Sequence, residues 1–151
     1  MKQTKTKPVQ PKSEFERLNV TRFMERDVQS GRPSTKANEI ASMMVEGLFG
    51  AIPIVDEERR LIGIVSEYDL LSSLEKGHRW SELLAEDIMT SNAFSVRPET
   101  NVATLVDVLL TSNLIRVPVV DAEHKLVGIV ARRDILRTYL NYGLESAQGV
   151  R

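Results

Sequence analysis

The sequence predicts an α/β protein of the α+β kind, in which a helix, a β-hairpin and a second helix follow one another twice. The first observation is a repeat: sliding the sequence by 65 positions aligns identical residues, with no gap between about residues 20 and 75. The aligned pairs include Met24 with Met89, Pro53 with Pro118, Leu61 with Leu126, Gly63 with Gly128 and Asp69 with Asp134. The second observation is that helical and β-branched hydrophobic patterns alternate at matching places in both copies. The core of the chain is therefore a tandem duplication.

Composition narrows the class of protein. Of the 151 residues, 42% are apolar and 27% are charged, which is ordinary for a globular chain with a hydrophobic core. The net charge of −1 gives no general attraction to nucleic acid or to an anionic membrane. There is no cysteine, and the two histidines, His78 and His124, are far apart, so we expect no metal site. No apolar run approaches the roughly 20 residues that span a bilayer, and we expect a cytoplasmic protein with no membrane partner.

Each copy opens with a predicted amphipathic helix. Thr35 and Thr100 follow an Arg-Pro pair and stand before these helices, where we expect them to be N-caps. Gly47 and Asn113 suit the helix ends because both residue types tolerate a left-handed backbone. The apolar side chains recur at helical spacing and form a buried stripe: Ile40, Met43 and Met44 in the first copy, and Val102, Leu105, Val106 and Leu109 in the second.

A hairpin and a closing helix complete each copy. The runs "AIPIV" and "LIGIV", and "VPVV" and "LVGIV", flank polar turns and predict hairpins. The closing helices are expected over 68–76 and 132–142, with Gly77 and Gly143 as stop signals. We expect a disordered tail over residues 1–13, a first repeat over 14–77, a linker over 78–84, a second repeat over 85–143 and a C-terminal tail over 144–151.

The heptapeptides "GIVSEYD" and "GIVARRD" end the second strand of each copy. In one interpretation Ser66 and Asp69 form a capping box at the closing helix. In the other, a hydroxyl, a carboxylate and free backbone amides converge on a ligand that carries ribose and phosphate. The second copy has Ala131, which cannot cap, yet it keeps Asp134. A carboxylate that accepts hydrogen bonds from neighbouring ribose hydroxyls explains why Asp134 is kept, although an acid that balances the helix dipole remains an alternative.

Glycines and arginines next to the heptapeptides bear on the same question. Gly63 and Gly128 lie inside predicted strands, where glycine is typical of a close approach by a ligand or by backbone. The second copy has arginines, which match phosphate, where the first copy has Ala51, Glu67 and Tyr68. These second-copy residues are Arg116, Arg132 and Arg133.

At these residues the chain resembles the cystathionine-β-synthase (CBS) domain family. The resemblance is carried by "FMERDVQSGRPSTKANEIASMM", "AIPIVDEERRLIGIVSEYDLL", "EDIMTSNAFSVRPETNVATLVDVLL" and "RVPVVDAEHKLVGIVARRDIL", and it covers about residues 20–141. It implies two β-α-β-β-α CBS repeats that pack with pseudo-twofold symmetry, an arrangement often called a Bateman module. It also implies clefts between the repeats that bind AMP, ADP, ATP or S-adenosylmethionine.

The resemblance also implies roles for single residues. Asp69 and Asp134 would each hold a ribose, and Ser66 would contact phosphate, with Tyr68 and Arg133 lining the same edge. Adenine would lie against apolar side chains, for which a place in the core is the alternative. The candidates for that contact are Phe49, Ile52, Leu114 and Val117.

The sequence therefore favours a non-enzymatic sensor of adenosine compounds. It contains no group of base, nucleophile and oxyanion donor that would make an enzyme, and no cofactor is required. The resemblance implies a homodimer whose geometry would act on an unidentified effector protein. Two alternatives stay open: a dimerising scaffold with empty clefts, and, less favoured, nucleic acid binding by the lysine-rich residues 1–13.

Overall fold

The computed structural model describes residues 7–149, with side chains described for 7–143. Two compact units divide these residues between them. The first unit contains residues 29–93 and 123–126, and the second contains residues 7–28, 94–122 and 127–149. Each unit has its own hydrophobic core, and each is described separately below.

The elements follow the predicted order within each copy. The first copy contains α1 (Ala37–Gly47), β1 (Ala51–Val55), β2 (Leu61–Ser66) and α2 (Glu67–Glu75). A short helix, α3 (Ala85–Ile88), precedes the second copy, which contains α4 (Val102–Thr111), β3 (Arg116–Val120), β4 (Leu126–Ala131) and α5 (Arg132–Gly149). Two turns of 3₁₀-helix, Phe15–Arg17 and Val20–Arg22, lie near the N-terminus.

The first unit is built on the antiparallel hairpin of β1 and β2. Gly31 adds one parallel bridge to Ile54, with its amide bonded to the Pro53 carbonyl at 2.9 Å. β1 is buried along its whole length, whereas β2 alternates between buried and half-buried residues because only one of its faces meets the core. The buried core side chains are Ala37, Ile40, Met44, Ile52, Ile54, Val65, Leu70 and Ala85.

The second unit has the same plan. β3 and β4 form its two-stranded sheet, and Val96 makes the parallel bridge to Val119 that Gly31 makes in the first unit. The predicted α+β class is confirmed, but the first strand expected in each repeat is reduced to this single bridge. The buried core side chains are Phe15, Val20, Phe23, Val96, Val102, Leu105, Val108, Leu109, Val117, Val119 and Val130.

The segments that lead into each copy are exchanged between the copies. Glu25, from the first lead, pairs with Ile129 of β4 through backbone bonds of 2.8 and 3.0 Å. Thr90, from the second lead, pairs in the same way with Ile64 of β2, at 2.9 and 3.1 Å. Each compact unit therefore combines the helices and hairpin of one copy with the lead of the other.

The two predicted N-caps are wrong. The Thr35 hydroxyl accepts a hydrogen bond from the Arg32 amide at 2.8 Å, and the Thr100 hydroxyl accepts one from Arg97 at 3.0 Å. Both threonines close the turn before the helix, so the N-cap falls one residue later. At that position Asn101 caps α4 by accepting a bond from the Thr104 amide at 2.8 Å.

Helix ends agree with the sequence in two places and differ in two. Asn113 has a φ of 52° and Gly77 a φ of 81°, and both lie just beyond a helix as expected. In the first copy the left-handed residue is Leu48, with a φ of 58°, rather than Gly47. The stop predicted at Gly143 is wrong, because α5 continues to Gly149.

The segments expected to be a tail and a linker make specific contacts. Residues 1–6 lie outside the described part of the chain, but the Val9 amide donates to the Thr104 hydroxyl at 2.9 Å and its carbonyl accepts from the Asn101 side chain at 3.3 Å. In the linker, Trp80 packs against the first core and its indole nitrogen donates to the buried Ser73 hydroxyl at 3.0 Å. Both segments are therefore held against their units.

Candidate functional site

The first heptapeptide places its serine and aspartate at the junction between β2 and α2. The Ser66 amide and hydroxyl both donate to Asp69 Oδ2, at 2.8 and 3.0 Å. The Asp69 amide donates in return to the Ser66 hydroxyl at 3.3 Å, which completes a capping box. The structural interpretation of these residues is confirmed. A ligand at this junction would therefore compete for, or add to, hydrogen bonds that the Ser66 hydroxyl and the Asp69 carboxylate already make with each other.

The second heptapeptide keeps half of that box. Asp134 Oδ2 accepts from the Ala131 amide at 2.8 Å, the same bond that Asp69 makes with Ser66. Asp134 Oδ1 forms an ion pair with Arg137 at 3.2 Å. An aspartate can accept a hydrogen bond from the N-cap amide without a serine, so helix capping explains in part why the second copy keeps Asp134.

Arg132 has a structural position. Its Nε donates to the Leu114 carbonyl at 2.6 Å, and its Nη2 donates to the Leu109 carbonyl at 3.2 Å and to the Asn113 side chain at 3.4 Å. These acceptors lie at and just beyond the C-terminal end of α4, where carbonyls lack helical partners and attract cations. The guanidinium therefore closes the connection from α4 to β3.

The other predicted site residues differ in how accessible they are. Tyr68 is 78% exposed and Arg133 is also exposed, so neither side chain belongs to a core. Arg116 begins β3 and is half-buried.

The four predicted adenine contacts lie against the two cores. Phe49 packs beside the first core and Leu114 beside the second, each partly buried. Ile52 and Val117 are fully buried, as the core alternative expects. A contact between any of the four and a ligand stays a prediction.

Gly63 and Gly128 are explained by packing rather than by a ligand. A Cβ on Gly63 would lie 2.5 Å from Met89 Sδ, and one on Gly128 would lie 2.8 Å from Met24 Sδ. These methionines belong to the exchanged leads. Both the methionines and the glycines repeat at the same offset, and this shared repetition is the sequence signal that could have linked them. The glycines let the leads approach their sheets closely.

Two kinds of site are absent from the part of the chain that the structure describes. Within it, no group of three or more histidine, aspartate or glutamate side chains could hold a metal ion. None of the described helices is long and apolar enough to cross a membrane.

Comparison with known proteins shows that both copies, with their junctions, match one protein family. A model of the CBS domain matches residues 20–76 and 85–141. An uncharacterized protein of Methanopyrus kandleri is 36% identical over 121 residues, which are 80% of this chain and 62% of that protein. The chain thus spans about three fifths of the length of the curated relatives it matches first.

Solved structures share the fold. The crystal structure of CBSX2 in complex with AMP has a TM-score of 0.74 and 32% identity, and the match covers 83% of this chain and 98% of that one. The CBS domain pair of protein MJ0100, in complex with 5′-methylthioadenosine and S-adenosyl-L-methionine, has a TM-score of 0.74 and 26% identity over 81% of this chain and 99% of that one.

Proposed function

The chain belongs to the CBS domain family, and on that premise we propose that it is a non-enzymatic sensor of adenosine-containing ligands. The ligand would be AMP, ADP, ATP or S-adenosylmethionine, bound at the strand-to-helix junctions that carry Asp69 and Asp134. The observation that carries the proposal is that both carboxylates stand in the first turn of a helix, directly after a strand with one buried face. Related proteins hold AMP or S-adenosylmethionine, which supports this ligand class.

The ribose would be the part of the ligand that both junctions recognise. A carboxylate accepts hydrogen bonds from two neighbouring ribose hydroxyls, and each charge-assisted bond contributes about 1.5–3 kcal/mol. Asp69→Ala should therefore weaken binding at its junction by roughly 10- to 100-fold. Asp134→Ala should cost less at its own junction, because Arg137 already pairs with that carboxylate. Calorimetry with AMP, ADP, ATP and S-adenosylmethionine measures both effects.

A control has to separate ligand binding from helix capping. Asp87 accepts a bond from the Leu84 amide at 3.0 Å, so it caps α3 much as Asp69 caps α2, but it lies outside the heptapeptides. Asp87→Ala should lower stability by about 1 kcal/mol and leave ligand affinity unchanged. Wild-type protein that binds none of the four ligands would instead support the ligand-free scaffold.

The proposed sensor acts as a homodimer. Large apolar side chains stand exposed on helices or next to strand and helix ends in both units, and exposed apolar patches are typical of protein interfaces. They include Val45, Leu48, Leu71 and Leu74 in the first unit, and Leu110, Ile115, Leu136 and Leu140 in the second. Ligand binding would change the dimer only through its different affinity for two arrangements, and an effector protein would read that change.

Sedimentation velocity tests the dimer. Leu136→Glu with Leu140→Glu should shift the protein to monomer, because two charges would be desolvated in an apolar contact. Thr111→Glu, at an exposed polar position of α4, is the control and should leave the sedimentation coefficient unchanged. A wild-type protein that sediments as a monomer at micromolar concentration would contradict this part of the proposal.

A further inference from the structure

The first turns of α2 and α5 carry opposite charge. α2 opens with Glu67–Asp69, which supplies two acids and no base. α5 opens with Arg132–Asp134, and Arg137 follows one turn later, where the first copy has Ser72. These differences stand at matching positions of two junctions that otherwise share strand, helix and aspartate. A charged ligand would therefore meet a different potential at each.

Two of the three arginines at the second junction are available to a ligand. Arg132 is occupied, since its guanidinium donates to the acceptors at the end of α4. Arg133 is exposed and forms no ion pair with any described residue. Arg137 is 62% exposed and holds only a surface ion pair, which contributes little and breaks readily.

The groups around Asp134 and Asp69 also differ in the charge that an approaching anion would meet. Arg133 precedes Asp134 and Arg137 pairs with it, so an approaching phosphate meets two guanidinium groups for one carboxylate. At the first junction the Ser66 hydroxyl donates its hydrogen to Asp69, so it is not a free donor for phosphate. Glu67 is exposed beside it and adds a second negative charge.

We infer that the two junctions select adenosine ligands of opposite charge. The second junction takes an adenosine di- or triphosphate, with Arg133 and Arg137 as the residues that determine the preference. The first takes an adenosine compound that is uncharged or cationic, as the sulfonium of S-adenosylmethionine is. This reverses the phosphate contact that the resemblance implies for Ser66, and it rests on the proposed function.

Calorimetry with adenosine and ATP in magnesium-free buffer tests the assignment. Asp69→Ala leaves the second junction intact, and it should bind ATP at least about 20-fold more tightly than adenosine. Asp134→Ala with Arg133→Tyr and Arg137→Ser, the triple variant, removes the carboxylate and both arginines of the second junction and leaves the first intact, and it should bind adenosine at least as tightly as ATP. The ATP affinity of Asp69→Ala should also fall as salt is raised, whereas the adenosine affinity of the triple variant should not.

Exchanging residues between the copies gives the decisive comparison. In the Asp69→Ala protein, Arg133→Tyr with Arg137→Ser installs the residues that the first copy has at these positions. ATP affinity should fall about 20-fold while adenosine affinity stays constant. Arg97→Ser is the matched control, because Arg97 is an exposed arginine of the same unit with a similar ion pair, to Glu99 at 3.2 Å.

The outcomes separate the two proposals. If adenosine binds and the exchange leaves the ratio of ATP to adenosine affinity unchanged, the charge assignment is overturned and the proposed function stands. If the triple variant also prefers ATP, the assignment is overturned in the same way. If the wild-type protein binds neither adenosine nor any of AMP, ADP, ATP and S-adenosylmethionine, both proposals fail.

Discussion

Leu48 holds a backbone conformation that leucine rarely adopts. Its φ of 58° and ψ of 36° are left-handed, and its side chain is 92% exposed, so no packing compensates for the conformation. The position that matches it in the second copy is Asn113, with a φ of 52°. The backbone of the helix end is therefore conserved between the copies, although the residue best suited to it is present in only one.

Replacing Leu48 with asparagine should stabilise the protein by about 0.5–1 kcal/mol, because asparagine tolerates the left-handed region better than leucine does. Urea denaturation measures the change in the free energy of unfolding. The reverse substitution, Asn113→Leu, should destabilise by at least as much, because it also removes an acceptor of the Arg132 guanidinium. Equal stability of Leu48→Asn and the wild type would show that the strain at this residue is negligible.

Single residues were predictable where their partners are close in sequence. The capping box of Ser66 and Asp69 joins residues on one turn, so its spacing alone identified it. The contact of Gly63 with Met89 joins residues far apart, and a glycine in a strand does not say which segment approaches it. Arg132 matched phosphate chemistry in sequence, but the carbonyls at the end of α4 satisfy it in the fold.

At the scale of elements, α1 and α4 are copies with different N-termini. Asn101 caps α4 and also donates to the Val9 carbonyl, whereas Lys36, its counterpart, makes no side-chain cap for α1. Sequence placed both caps one residue too early because a threonine before a helix can either cap it or close the preceding turn. Most of the two predicted stripes is buried, because periodicity reports which face of a helix meets the core, but Met43 and Val106 are only half-buried.

This difference between the helices can be measured. Asn101→Ala removes the cap of α4 and one of the two bonds to Val9, so it should destabilise the protein by about 1–2 kcal/mol. Lys36→Ala changes the same position of the other copy and should have an effect within about 0.5 kcal/mol. Thermal denaturation of both variants tests the pair. A loss at Lys36 as large as the loss at Asn101 would contradict the assigned cap.

At the scale of the whole molecule, the duplication was predictable and the exchange of leads was not. A constant offset of 65 positions shows which residues are equivalent, but equivalence carries no information on contact. The repeat boundaries at 14–77 and 85–143 therefore describe the duplication, whereas the compact units draw each lead from the other copy. The same limit applies to the site: the sequence located both junctions, and only the structure shows which donors are already used.

The exchange predicts which part of the chain folds alone. Residues 29–93 contain every side chain of the first core, including Ala85, and the partly buried Trp80 and Met89 that pack against it. Residues 14–77 are a fragment of nearly equal length that follows the repeat boundary, and they lack all three. Because small domains have little hydrophobic surface to spare, the loss of these contacts should leave residues 14–77 unfolded, while residues 29–93 give a cooperative urea transition and dispersed amide resonances.

The two fragments can be compared directly, because they have nearly the same length and contain the same hairpin. The fragment 29–93 loses residues 123–126, whose backbone bonds to Arg59 and Leu61 lie at the edge of the unit, so its free energy of unfolding should be low but measurable. Met89→Ala in that fragment removes a half-buried side chain packed against Gly63 and should destabilise it by about 2 kcal/mol, the low end for a core methionine, enough to unfold a fragment of low stability. A folded 14–77 fragment would show that the leads are dispensable and that each repeat is complete in itself.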